Sequence, residues 1–489
     1  MRKLKLLQLS MVRKTLYAGL VLTMLSPLHA FAAEKSAGAS ASERVSEVLE
    51  LLEGSHVSAP SKDSLANAAI AGMVDSLKDP YTVYFSEEEW NQFEGSLEQH
   101  YVGIGVRVGE DKEGILIVEV FAGTPAEAAG LRRGDIITAV EGVSAAGKPL
   151  DDVVKTILGP EGSTVNLTVK RDDSTFDIKP SRKQVQIPVV VSRMYDNGVG
   201  YMQLSSFSSD ADESVTKHLD QLKSKGMTSL VFDLRNNGGG LLDSALNIAK
   251  LFIKEGVLIH TKDRDNVDDP VVIKNGTTQA FPLYILVNEY SASASEVLTG
   301  ALQDYGVVAK VIGVNTFGKG SVQQVHPLKG GGALKITIEE YLTPNMRKVN
   351  KVGLQPDVQT EGDIPQLITA LRVAGVQSFT IQANKRNISV NGADLSETFN
   401  FYNENGRAYV PSRVLAALTD ASITWNAETE TVDITAGSTT ASFEVADQGD
   451  MINKAGVSYM DVSVFASLFP QLSWSMEGDV LTLTSAKGN

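Results

Sequence analysis

Apolar residues recur at helical spacing in two segments near the start of the chain. Val45, Val48, Leu49 and Leu52 mark one amphipathic helix; Leu65, Ile70, Met73, Val74 and Leu77 mark a second. Asp79-Pro80 ends the second, and Ser86-x-x-Glu89 predicts a capped short helix carrying Trp90 and Phe93. Between residues 98 and 184 the pattern shifts to short strands, at 104–108, 115–120, 135–140, 164–169 and 176–178. Short helices at 124–130 and 151–158 interrupt them. From 185 to 376 the strands become nearly continuous apolar runs, at 229–234, 283–287 and 307–312. They alternate with helices at 241–253 and 293–304, the pattern of a parallel or mixed sheet covered on both faces.

The last segment, 377–489, repeats itself. Gly406, Tyr409, Leu418 and Trp425 recur as Gly456, Tyr459, Leu468 and Trp474, and each copy reads as strand, helix and Trp-bearing hairpin. Both tryptophans are expected in a core. With its own apolar strands and helices, the pair is expected to fold as a separate unit. It resembles the domain named after the amino-terminal region of copper amine oxidases, but it has no histidine, so no copper site is expected.

Composition narrows the chemistry. A hydrophobic fraction of 43% and a charged fraction of 21% describe ordinary globular protein, and the net charge of −15 disfavours nucleic acid as a partner. There are no cysteines, which removes thiolate nucleophiles and disulfides. The six histidines form no HExxH, so no metal and no cofactor are expected. Residues 1–32 read as a signal peptide: a basic start, an apolar stretch at 15–25 and Ala30-Phe31-Ala32 as cleavage site. An uncleaved N-terminal anchor is the alternative, and Pro27 and His29 weigh against it. Residues 33–97 are then a linker and the amino-terminal helices of an exported, extracytoplasmic protein.

Three segments carry candidate chemistry. Ser291-Ala292-Ser293-Ala294-Ser295-Glu296 joins a buried strand to a helix, where a serine hydroxyl can stand above the sheet edge beside helix amides. Lys319, in Gly318-Lys319-Gly320, follows the next strand and can serve as a base if burial keeps it neutral. Gln323, four residues on, could hold the amine without adding charge. Gly238-Gly239-Gly240 ends the first central strand and leaves backbone N–H groups uncovered, as an oxyanion hole requires.

The segment around YVGIGV, TPAEAAGLRRGDIITAVEG and DDVVKTILGPEGSTVNLTVKR resembles a circularly permuted bacterial PDZ module. In order along the chain, DPYTVYF, DLRNNGGGLL, SASASEVLTGALQDYG, TFGKGSVQQ and GLQPDV resemble the carboxy-terminal processing peptidases. That resemblance implies a multidomain α/β fold: a crotonase-like serine protease core at 185–376, an inserted PDZ domain at 98–184 and an α+β repeat domain at 377–489. It implies Ser293 as nucleophile, Lys319 as general base, Gln323 as its orienter, and Ala294 with Gly239 or Gly240 as oxyanion donors. It also implies that the amino-terminal helices form a homodimer. One departure stands out: Ser293 and Lys319 are one residue further apart than the family pattern, which points to a single insertion at 305–310. The PDZ resemblance puts Val102, Gly103, Ile104 and Gly105 around a substrate's terminal carboxylate, and Val154, Ile157 and Leu158 beside its last side chain. The resulting expectation is an exported serine endopeptidase that recognises proteins or peptides at or near their C-termini. A non-catalytic envelope scaffold is the alternative, and a cell-envelope ligand is a candidate partner for the repeats.

Overall fold

The computed structural model describes residues 40–97, 99–384, 387–395, 399–404, 406–446 and 449–486; the expected signal peptide lies outside the described residues. The chain divides into two compact units, one ending at Leu77 and one from Lys78 onward. The first holds α1 (Ala41–Ser55) and α2 (Lys62–Ser76), capped by Ser40 and Ser61. Neither helix has a buried residue, and Val45, Val48, Leu51, Leu52, Met73 and Leu77 are exposed.

In the second unit β1 (Val83–Phe85) leads into α3 (Glu87–Leu97). The expected capping box is present, with the Glu89 N–H donating to Ser86 Oγ and the Ser86 N–H to Glu89 Oε2. Phe85, Trp90 and Phe93 form an aromatic cluster beneath it.

The chain enters the domain expected to resemble a PDZ module through β2 (His100–Gly103). The domain is built from β3 (Val106–Asp111), β4 (Gly114–Val120), α4 (Pro125–Ala128), β5 (Ile136–Val140), β6 (Val143–Ser144), α5 (Leu150–Ile157), β7 (Leu167–Arg171) and β8 (Ser174–Ile178). The strand expected at 104–108 is broken, because Gly105 has φ 91° and turns the chain. The sheet order is β3-β4-β5-β7-β8 with β6 on β5, which leaves β3 at an open edge. The chain leaves through β9 (Lys183–Gln186), which pairs with β2.

The core follows with β10 (Val190–Met194), β11 (Val199–Leu204), α6 (Ala211–Ser224), β12 (Ser229–Asp233), α7 (Leu242–Ala249), β13 (Gly256–Asp263), β14 (Val271–Ile273), β15 (Leu283–Val287), α8 (Ala294–Asp304) and β16 (Val308–Gly313). It ends with β17 (Ser321–Pro327), β18 (Ala333–Leu342), β19 (Val358–Gln359) and α9 (Asp363–Ala374). A six-stranded sheet runs β10-β11-β12-β15-β16-β19, parallel except at the β10 edge. Alternation along β12 shows why its apolar run is continuous. Leu230 and Phe232 face the core under α6, α7 and α8, while Val231 faces the one under α9. A second sheet of β1, β13, β14, β17 and β18 stands beside it.

The β15–β16 pair is irregular at its start. Leu283 pairs with Val308 but Tyr284 with Lys310, so Ala309 is a β-bulge at the start of β16.

The repeat domain does contain two copies of strand, helix and hairpin. Their first strands, Arg407–Pro411 and Val457–Asp461, pair with each other. Two expectations fail there. Trp425 is 57% exposed rather than in a core, whereas Trp474 packs against one. Nor is the domain separate: a single apolar cluster runs from Val231 and Leu286 of the sheet through Ile364, Leu367 and Leu371 of α9 to Val414 and Leu418 of the repeat. Arg372 donates to the carbonyls of Ala417 and Leu418 at 2.9 and 2.8 Å, at the end of the helix Ser412–Leu418. The physical reason lies in α9, which buries residues on nearly every side and so needs cover on the face away from the sheet.

Candidate active site

Strands β12, β15 and β16 are parallel, so the loops after their carboxyl ends share one edge of the sheet. The loop after β15 carries the three serines. Ser291 Oγ donates to Leu234 O at 2.8 Å and accepts from the Asn288 N–H; Ser295 Oγ donates to Asn237 O at 2.8 Å. Both are buried and hold the two loops together. Ser293 alone is partly exposed. It stands at the start of α8 with φ 54° and ψ −115°, a conformation costing a non-glycine residue about 1–3 kcal/mol. Surrounding contacts must hold it there.

Glu296 supplies most of them. Its carboxylate is fully buried. Oε2 accepts the backbone N–H groups of Ser293 and Lys319, both at 2.9 Å. Oε1 accepts the Thr316 hydroxyl at 2.6 Å and the Gly318 N–H at 2.7 Å. Burial pushes its pKa up, against the pull of these four donors. Tyr341, from β18, closes the other side: its hydroxyl donates to Lys319 O at 2.9 Å, with Ser293 O 3.3 Å away. One acid and one phenol thus tie together the backbones of Ser293 and Lys319.

The Lys319 side chain is half-buried, and its pKa is lowered first by burial and then by the Lys335 charge, while Glu296 acts the opposite way. Nζ lies 5.1 Å from the centre of the Tyr81 ring, and no hydrogen bond joins it to Ser293 Oγ among the described residues. Gln323 does not reach the amine. Its Nε2 donates to Ser321 Oγ at 2.9 Å and faces Thr337 Oγ1 at 3.4 Å.

The glycines of the loop after β12 pack against the serine. A Cβ on Gly239 would stand 2.9 Å from Ser293 Cβ and 3.0 Å from Ala294 N, so no other residue fits. The Gly239 N–H donates to Asn237 Oδ1 at 2.9 Å. Gly240, at φ 144°, is exposed beside it. The loop is anchored by a buried ion pair, Asp233–Arg235 at 2.6 Å, joined by the Tyr201 hydroxyl. Arg235 also donates to Asp363 O, 2.7 Å away at the start of α9.

The expected peptide-binding residues form a second group, in the domain of β3 to β8. Gly103, Ile104 and Gly105 make the turn between β2 and β3; Val102 is half-buried on β2. The side chains of Ile104 and Ile157 are spent in the domain core, while Val154 is half-buried and Leu158 exposed. Sequence reasoning assigned no role to Glu296, Tyr341 or Tyr81. A signal for Glu296 was there, because Ser293-x-x-Glu296 has capping-box spacing.

The sequence model of peptidase family S41 matches residues 198–360, that of the PDZ domain residues 92–170, and that of the copper amine oxidase N-terminal domain residues 389–467. Residues 16–89 match the N-terminal domain of the activating protease CtpB. A probable CtpA-like serine protease of Staphylococcus aureus is 35% identical over 348 residues, covering 71% of this chain and 69% of the relative. Its counterpart in Staphylococcus haemolyticus is 38% identical over 310 residues, covering 63% and 62%. Among solved structures, the photosystem II D1 C-terminal processing protease aligns at 27% identity over 69% of this chain and 98% of its own, with a TM-score of 0.42.

Proposed function

The chain belongs to peptidase family S41, among the CtpA-like serine proteases, and we propose that its PDZ-bearing serine peptidase works through a Ser293–Lys319 dyad on substrates recognised at their carboxyl ends. The observation that carries this reading is the shared Glu296 Oε2, which fixes the backbones of both residues around one oxygen.

In this mechanism Ser293 Oγ attacks the scissile carbonyl while neutral Lys319 takes its proton, after Nζ swings away from Tyr81. The burial that lowers the amine's pKa supports that role. The N–H groups of Ala294 and Gly240 receive the oxyanion. Gly239 is assigned a steric part, since its N–H is already held by Asn237. Each oxyanion donor is worth about 2.7–4 kcal/mol in the transition state. Lys319 then protonates the leaving amine, and water hydrolyses the acyl-enzyme by the reverse sequence. Gln323, bonded to Ser321, sits where the β17–β18 pairing bulges and does not touch the amine.

Carboxyl-end recognition is assigned to the PDZ turn at Gly103–Gly105 and to the open edge of β3, where a peptide can add as a strand. Export is assigned to residues 1–32, and self-association to the uncovered apolar faces of α1 and α2.

Ser293→Ala and Lys319→Ala should each abolish hydrolysis of an unfolded polypeptide, and the double variant should be no worse than either, because the two act as one unit. Full activity in Ser293→Ala together with loss in Ser291→Ala would overturn the assignment of the nucleophile.

A further inference from the structure

The turn assigned to the substrate carboxylate has a neighbour that competes for it. The Phe121 N–H donates to Gly105 O at 3.0 Å, and Val106 faces Val120 across the β3–β4 pair. That makes Val106 and Val120 a non-hydrogen-bonded pair, so the Val106 N–H points off the open edge of the sheet. Gly105 is locked in place: a Cβ there would stand 2.3 Å from Thr124 Cβ, and the Thr124 hydroxyl also reaches Gly105 O at 3.3 Å. The turn therefore presents its amides outward in a fixed geometry.

Tyr101, two residues before Gly103 on β2, lies across this turn. Its Cε2 and Cδ2 are 2.4 and 2.9 Å from where a Gly103 Cβ would be, and Leu158 Cδ2 is 3.2 Å from the same point. Leu158 caps α5, so the ring and Leu158 meet over the turn. The ring is half-buried; burial pushes the phenol's pKa up, while the backbone N–H groups of Val106 and Gly105 beside it pull the other way. These are amides that a chain-terminal carboxylate would use.

We propose that Tyr101 is a built-in ligand of the PDZ carboxylate turn, seated on its amides in the free enzyme and displaced by the terminal carboxylate of a substrate polypeptide. This rests on the carboxyl-end reading given above. A carboxylate can win the exchange because charge-assisted hydrogen bonds are stronger than those of a neutral phenol. The apparent affinity for a carboxyl end is then lowered by the fraction of molecules in which Tyr101 holds the turn.

The test uses the full chain carrying Ser293→Ala, so that peptide binds without being cut. Affinities are measured for a fluorescent ten-residue peptide ending in valine, as the free acid and as the amide. Tyr101→Phe keeps the ring against Gly103 and Leu158 and removes only the oxygen. It should bind the free acid roughly three- to tenfold more tightly and leave the amide unchanged. Unchanged or weaker binding of the free acid, with acid still preferred over amide, overturns the role of Tyr101 and leaves carboxyl-end recognition standing. Equal affinity for acid and amide in both proteins overturns the carboxyl-end reading, and the proposal with it.

Discussion

The loops of the candidate active site and the PDZ turn both offer backbone N–H groups beside glycines of positive φ, but the two are held differently. At the sheet edge, every support is buried: Glu296 takes four donors, Tyr341 bridges two carbonyls, and the Asp233–Arg235 pair ties the glycine loop to α9. At the PDZ turn, one half-buried ring lies over the amides, and the flanking Leu158 is exposed. The first arrangement suits charge that develops in a transition state, where donors must not reorganise. The second suits a ligand that arrives already charged and can do the displacing. Order around one site and a movable cover over the other are opposite uses of the same chemistry.

The contrast can be broken most severely from outside the site. If the order of the catalytic loops extends through α9 into the repeat domain, ending the chain after Gln377 should remove most soluble, active enzyme. The cut exposes Ile364, Leu367 and Leu371, each worth about 1.5–3 kcal/mol of burial. Soluble yield and kcat/KM are the measurements; a soluble truncation with undiminished kcat/KM would show that the loops need no such support.

A smaller but more local loss is expected from Glu296→Gln. An amide nitrogen in place of either oxygen would face two donors, and each buried donor left unpaired costs about 1–3 kcal/mol. The variant should melt earlier and lose roughly 100-fold in kcat/KM, about 2.7 kcal/mol at the barrier. A wild-type rate would mean that Glu296 merely fills space.

The mildest change is Lys335→Met. The Lys335 ammonium lies over the Phe85 and Phe93 rings and helps to depress Lys319. Without that charge the pKa of Lys319 should rise. With the neutral amine as the proposed base, the ascending limb of the pH–kcat/KM profile should move to higher pH. Movement to lower pH would contradict Lys319 as the base. Stability is linked to the same group: with its folded pKa below the unfolded value, Lys319 adds stability as pH rises between the two, and that increment is lost as pH falls through the folded value.

Much of this was legible in the chain. The apolar runs located β12, β15 and β16 within a residue or two, since strands covered on both faces admit few polar positions. Ser293 and Lys319 stood out because each sits among small residues at a strand end. Tyr341 could not stand out, because its role depends on where β18 lies, and pairings between distant segments leave no local signature. β18 meets β1, which lies some 250 residues earlier in the chain. The fusion of the repeat to the core had a signal that went unused, the all-round apolar sequence of α9. Tyr101 was hidden because a tyrosine on a strand ordinarily reads as packing.

The bulge at Ala309 has a practical consequence. It takes up a whole extra residue at the amino end of β16, while the other end of that strand leads into the loop bearing Lys319. Lengthening at that far end is geometrically decoupled from the chemistry. The adjoining turn at Gly306, with φ 65° and open space around it, is therefore a natural graft point. A reporter peptide or affinity loop spliced there could grow without altering the distance between Ser293 and Lys319.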